Sequence, residues 1–195
     1  MKNIAITALW ISAGAFFYSN SAIAQAVPMA QAAESATATP LSGVRLAGQG
    51  VLRFLGFEIY RARLWVQPGF DADNYGAQPL ALELTYHRDF TAEAIAKRSL
   101  EEMRRVGSFT PQQATRWQQA LQAALPDVKS GDRLLGIHQP GVGAVFKMAG
   151  RVVGEVPDAE FSRLFFGIWL SPQTSEPGLR QELIAATRTA GQGQP

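Results

Sequence analysis

The sequence predicts an α+β domain in which helices pack on one face of an antiparallel sheet. Two observations carry that expectation. Several short runs alternate apolar and polar residues, the period of a strand with one face on a core, while others repeat apolar residues at three-and-four spacing, the period of a helix with one buried stripe. The two periods also come in blocks of strands, two helices, strands and two helices, and this blocking argues against a doubly wound parallel sheet.

At the start of the chain Lys2 is the one early charge, and Ile4 to Phe17 follow without an ionised side chain. Ala22 and Ala24 put small residues at both positions a signal peptidase reads. Residues 1–24 are therefore expected to be a cleavable signal peptide, and the mature protein periplasmic. The alternative is a membrane anchor. The apolar run is short of the roughly 20 residues a spanning helix needs, and polar Ser19, Asn20 and Ser21 interrupt its end. No later segment is apolar for long enough, so no stable membrane span is expected after cleavage. Residues 25–41, rich in Ala, Thr and Ser, read as a flexible linker. The folded domain is expected over 42–188, with a disordered tail at 189–195.

Within that domain, Gly43 to Leu46, Gly50 to Phe54 and Phe57 to Val66 read as strands broken by Gly48, Gly50 and Gly56. In the third, Tyr60, Ala62, Leu64 and Val66 share one face, opposite Arg61, Arg63 and Trp65. Pro68 to Pro79 holds two Pro, two Gly, two Asp and an Asn, a loop composition. Leu80, Leu82, Leu84 and Tyr86 then share a strand face. Thr91 is the expected N-cap of a helix, with Glu93 in the first turn where the helix dipole favours a carboxylate. Its buried stripe is Ile95, Ser99, Leu100, Met103 and Val106, with Lys97, Arg98, Glu101, Glu102, Arg104 and Arg105 pointing away. Thr110 and Gln113 make a capping box for a second helix buried through Trp117, Leu121, Ala124 and Leu125.

Arg133 to Gln139, Ala144 to Met148 and Arg151 to Val156 are expected strands joined at Pro140 to Gly143 and at Ala149-Gly150. Pro157 and Asp158 open a third helix whose Phe161, Leu164, Phe165, Ile168 and Trp169 form the strongest helical period in the chain. Ser175 is expected to cap a last short helix through Leu179, Leu183 and Ile184.

Composition excludes more chemistry than it suggests. With no cysteine, thiol catalysis, iron–sulfur clusters and cysteine-zinc sites are excluded, and core packing must hold the fold without disulfides. The formal charge is +2, from 18 basic against 16 acidic residues; losing Lys2 leaves 17 against 16, or +1. Basic and acidic residues are interspersed, unlike the basic stripe of a nucleic-acid binder, so no nucleic acid is expected as a partner. No phosphate-binding loop, His-Glu-x-x-His, Gly-x-Ser-x-Gly elbow or dinucleotide fingerprint occurs. His87 and His138 stand alone in sequence and are read as exposed or hydrogen-bonded side chains, so no metal and no cofactor are expected.

The densest polar cluster is Tyr86-His87-Arg88-Asp89-Phe90, where a strand hands over to a helix, a usual place for a pocket mouth. Arg88 either holds a ligand carboxylate in bidentate geometry or ties down the strand end by pairing with an acid such as Asp89. Arg61 and Arg63 are read as solvent-facing, because unpaired burial of a charge is costly.

Several segments together resemble the bacterial chalcone isomerase-like domain family: Val51 to Val66, Leu82 to Phe90, Lys97-Arg98-Ser99, Gly141-Val142-Gly143, and Phe165 to Leu170. The resemblance spans about residues 42 to 186. It implies an open-faced β-sandwich, a curved antiparallel sheet whose helical layer encloses an apolar cleft. In the plant enzymes that cleft cyclises a chalcone by intramolecular attack of a phenolate, assisted by an arginine, a threonine, a tyrosine and an asparagine. Related non-catalytic members bind fatty acids, with the arginine and tyrosine on the carboxylate.

The catalytic set does not carry over. The threonine position falls on Tyr60, the tyrosine on Phe90 or Thr91, and the asparagine on Lys97 or Arg98. Gly48 stands where the arginine belongs, with Arg45 and Arg53 nearby. The expected function is therefore a periplasmic, non-catalytic protein that binds a small apolar or amphipathic ligand, such as a fatty acid or aromatic acid. Its expected ligand contacts are Arg53, Tyr60, Tyr86 and Arg88. The alternatives are an isomerase or intramolecular lyase on another substrate, using Tyr60, Tyr86 or an arginine, and an envelope scaffold protein.

Overall fold

The computed structural model describes residues 42–189, so the expected signal peptide and linker, and the tail from residue 190 onward, lie outside the described residues. Six strands, β1 (Arg45–Phe54), β2 (Phe57–Val66), β3 (Leu80–Tyr86), β4 (Arg133–Gln139), β5 (Gly143–Met148) and β6 (Arg151–Val156), form one sheet in chain order. Every neighbouring pair is antiparallel. Helices α1 (Ala92–Val106), α2 (Pro111–Ala124), α3 (Ala159–Leu170), α4 (Pro177–Leu183) and α5 (Ala185–Thr189) pack on one side of this curved, open sheet.

Register explains which face is covered. Ala62, Leu64 and Val66 stand opposite Leu84, Leu82 and Leu80. Leu82 and Leu84 continue to Gly136 and Leu134, and those to Phe146 and Met148. This apolar surface meets α3, whose Phe161, Leu164, Phe165, Phe166, Trp169 and Leu170 are all buried. At roughly 1.5–3 kcal/mol for each large apolar side chain withdrawn from water, α3 is the main adhesive of the fold. The uncovered face carries Arg61, Arg63 and Trp65 as expected, and Arg63 lies 3.8 Å from Glu83.

The helix signals hold at the level of single caps. Thr91 Oγ1 accepts from the Ala94 amide at 3.1 Å, and Thr110 and Gln113 close the capping box. Asp158 caps α3 by accepting from the Phe161 amide at 3.0 Å. The same carboxylate accepts from Trp117 Nε1 at 2.8 Å and lies 3.2 Å from Arg116, so one cap joins α2 to α3. Burial works to raise this carboxyl, but the Phe161 amide, the Trp117 indole and Arg116 outweigh it and hold the group below its usual range.

Three expectations are corrected. β1 is one bulged strand and is not broken at Gly48 and Gly50. Its glycines serve close approach: a side-chain carbon at Gly48 would collide with the Glu182 carbonyl, and one at Gly50 would meet Leu179 and the Glu182 side chain. The segment read as loop contains 3₁₀ turns over Ala72–Ala77 that bury Tyr75. Ser175 does not cap α4. Glu176 occupies that position without a side-chain cap bond, and the Ser175 hydroxyl donates to Glu102 instead, at 2.7 Å.

His138 is buried and hydrogen-bonded. Its Nδ1 lies 2.6 Å from Ser162 Oγ and its Nε2 lies 3.0 Å from the Gly76 carbonyl oxygen. Among the described residues no helix is long and apolar enough to cross a membrane. Nor does any group of three or more His, Cys, Asp or Glu among them stand where it could hold a metal ion.

Candidate functional site

Between the sheet and the α1–α3 pair lies a cleft of ≈ 440 Å³, within the size range of small-molecule sites. Strand alternation supplies one wall, Leu52, Tyr60, Leu84, Tyr86 and Leu134. The helical stripes supply the other, with Ile95 and Ser99 from α1 and Phe165, Ile168 and Trp169 from α3. Part of the α3 aromatic stripe that reads as core in the sequence is thus cleft wall. A further void of ≈ 20 Å³ shares Leu84, Leu134, Phe165 and Trp169 with the cleft.

The sheet wall carries two phenols side by side. Tyr60 and Tyr86 are cross-strand partners, their rings edge to face with centroids 6.1 Å apart. The Tyr60 oxygen accepts from Trp169 Nε1 at 2.9 Å, which leaves its own hydrogen to give. The Tyr86 hydroxyl has no hydrogen-bond partner among the described residues. Burial pushes both phenols well above the ordinary tyrosine range; at Tyr60 the Trp169 bond opposes this only in part. Both therefore remain neutral O–H donors at any physiological pH and are unsuited to act as bases.

The cation of the cleft lining and its buried carboxylate come from α1. Arg98 Nη2 lies 2.6 Å from Glu102 Oε1, and Nη1 lies 3.3 Å from Glu101. Glu102 Oε2 lies 3.3 Å from Arg105 Nε and accepts from the Ser175 hydroxyl. The Glu102 side chain is only 7% exposed and that of Arg98 is 65% exposed. A sunken carboxylate is thus neutralised by cations that reach in from the rim, the pairing that burial of a charge requires. Glu176 adds a second carboxylate to the lining.

Of the four residues expected to contact a ligand, the fold brings Tyr60 and Tyr86 together in the cleft and leaves the two arginines outside its lining. Arg53 is exposed near the β1–β2 turn, 2.6 Å from Glu58. Arg88 lies 4.3 Å over the Phe57 ring, while Asp89 pairs with Lys129 and the Ser130 amide. His87 Nδ1 lies 3.0 Å from Glu58. The lining cation is Arg98, exposed as expected and reaching the cleft from its rim, while the buried Glu102 corrects the expectation that it points away from the core. A signal for Glu102 was present: Ile95, Ser99 and Glu102 stand at i, i+4 and i+7, the spacing of one helix face.

The chain's similarities agree with this geometry. A family model described as chalcone isomerase-like matches residues 25–185. An uncharacterized protein of Haemophilus influenzae is 25% identical over 153 residues, which cover 78% of this chain and 74% of that one. The crystal structure of an Arabidopsis thaliana fatty-acid binding protein aligns with a TM-score of 0.59 at 13% identity, covering 77% of this chain and 92% of that one. At that identity the match speaks for the fold.

Proposed function

Because the chain belongs to the chalcone isomerase-like family, we propose that it is a non-catalytic carrier that holds an apolar or amphipathic ligand, such as a fatty acid or aromatic acid, in the periplasm. The observation that carries this reading is the ≈ 440 Å³ apolar cleft with its polar groups gathered at a few points. Leu52, Leu84, Leu134, Ile95 and Ile168 offer surface to a hydrocarbon or ring. Tyr60 and Tyr86 offer hydroxyl donors to a head group, and Arg98 offers a cation that exchanges exposed Glu101 for a ligand carboxylate while keeping Glu102. The printed function of the Arabidopsis protein, fatty-acid binding, fits such an occupant. The amino-terminal signal pattern supports the compartment, and the unmatched catalytic set of the plant enzymes supports a binding role.

The test is direct. The full chain is recovered from the periplasm, extracted lipids and aromatics are identified by mass spectrometry, and the emptied protein is titrated with cis-parinaric acid. Saturable binding is expected, weakened at least about ten-fold by Ile168→Trp, which fills the cleft. Absence of both a co-purifying ligand and saturable probe binding would sink the proposal.

A further inference from the structure

The β1–β2 turn carries apolar side chains that neither the core nor turn chemistry explains. Phe54, Leu55 and Phe57 are 62%, 80% and 55% exposed. Phe54 pairs with Phe57 across a two-residue turn in which Leu55 has φ 49° and Gly56 has φ 82°. Such a turn favours Asn-Gly or Asp-Gly, because both central residues take a left-handed conformation that a bulky side chain resists. A leucine there loses on conformation and exposes hydrocarbon to water, so its apolar character calls for another reason.

The tip also stands clear of the sheet. Ladder pairing of β2 with β3 ends at Tyr60 and Tyr86, and the His87 amide still donates to the Ile59 carbonyl oxygen at 2.9 Å, so Phe57 and Glu58 with their β1 partners run on as a short two-stranded finger, flanked by His87 and Arg88. At about 3.3 Å per residue it projects about 7 Å, within the roughly 5–10 Å depth at which amphipathic elements seat in a bilayer interface. Around its base Arg53, Arg61 and Arg88 are exposed cations; Glu58 pairs with Arg53, and Asp89 pairs with Lys129. Phe54 is shared between the finger and the lining of the cleft.

We infer that this finger docks the protein on an anionic phospholipid bilayer: Leu55, Phe54 and Phe57 enter the interface, the three arginines face the head groups, and the cleft mouth lies against the lipid. Apolar side chains below a collar of guanidinium groups complement a negatively charged interface from both sides of the head-group plane. Docking depends only on the finger. Its use for ligand exchange rests on the carrier reading above.

The full chain is spun with sucrose-loaded vesicles of phosphatidylglycerol and phosphatidylethanolamine, and with vesicles of phosphatidylcholine alone. The protein is expected to sediment with the anionic vesicles and more weakly with the neutral ones. Leu55→Ser with Phe57→Ser should lower that partition at least about ten-fold, given the transfer value of two large apolar side chains. Arg88→Gln should lower it about five-fold at low salt and less at high salt. Unchanged thermal unfolding and cis-parinaric acid affinity would show the variants to be folded. Ile168→Trp should lose the probe yet still sediment, so failure of the carrier reading and failure of docking are told apart. Docking is overturned if the wild-type protein stays in the supernatant, if the double variant sediments equally, or if the finger instead mediates dimers seen by sedimentation equilibrium without lipid.

Discussion

At the scale of single residues, the two cleft tyrosines look alike in sequence but differ in what they hold. Tyr60→Phe deprives Trp169 Nε1 of its acceptor, and leaving a buried donor unsatisfied costs about 1–3 kcal/mol. Tyr86→Phe removes a hydroxyl that has no hydrogen-bond partner among the described residues and is expected to be near neutral. Urea unfolding of the two variants measures the contrast, and equal losses would contradict the hydrogen-bond assignment. Arg98→Gln tests the other wall. It should weaken cis-parinaric acid by about ten-fold, the value of a hydrogen bond to a charged group, while leaving the probe's methyl ester unaffected. Equal loss for acid and ester would mean Arg98 does not meet a carboxylate.

At the scale of elements, most of the fold was legible because each signal is local. The Thr110–Gln113 capping box, the Asp158 cap and the alternation through Tyr60 and Tyr86 depend on near neighbours in the chain, and all three stand in the structure. Signals that depend on distant packing were misread. Gly48 and Gly50 look like strand breakers, yet they are the flat ground on which α4 lies. Glu102 looks like a solvated helix charge until Ser175, more than seventy residues later in sequence, is brought against it. Arg53 stands near the position the resemblance assigns to an arginine, and Arg88 in the polar cluster after β3, but pairing with Glu58 and stacking on Phe57 hold the two outside the cleft. The glycine reading has its own test. Gly48→Ala should cost about 1–3 kcal/mol through overpacking of α4 on β1, read as a lowered urea midpoint. A neutral result would show that α4 yields freely there.

At the scale of the whole molecule, stability should depend on pH through His138. Burial lowers its affinity for a proton, with the bond to the Gly76 carbonyl opposing only in part. The unfolded chain takes up a proton near the ordinary value of about 6.5 and the folded chain does not. The protein therefore loses stability as pH falls through that value, until the lower folded-state value is reached. His138→Gln removes this linkage, so the fall in melting temperature between about pH 7.5 and 5.5 should be shallower in the variant. Parallel curves for the two proteins would refute it.

The chain-order sheet has a kinetic consequence. Strands β1 to β3 and β4 to β6 form two runs in which each strand pairs with its predecessor, so both runs can assemble from contacts close in sequence. The β3–β4 seam alone waits for α1 and α2, because those two helices separate its strands along the chain. Closing that long loop is the entropically expensive event. The rate of folding should therefore respond to changes along the Leu84–Leu134 seam more than to changes in either outer hairpin.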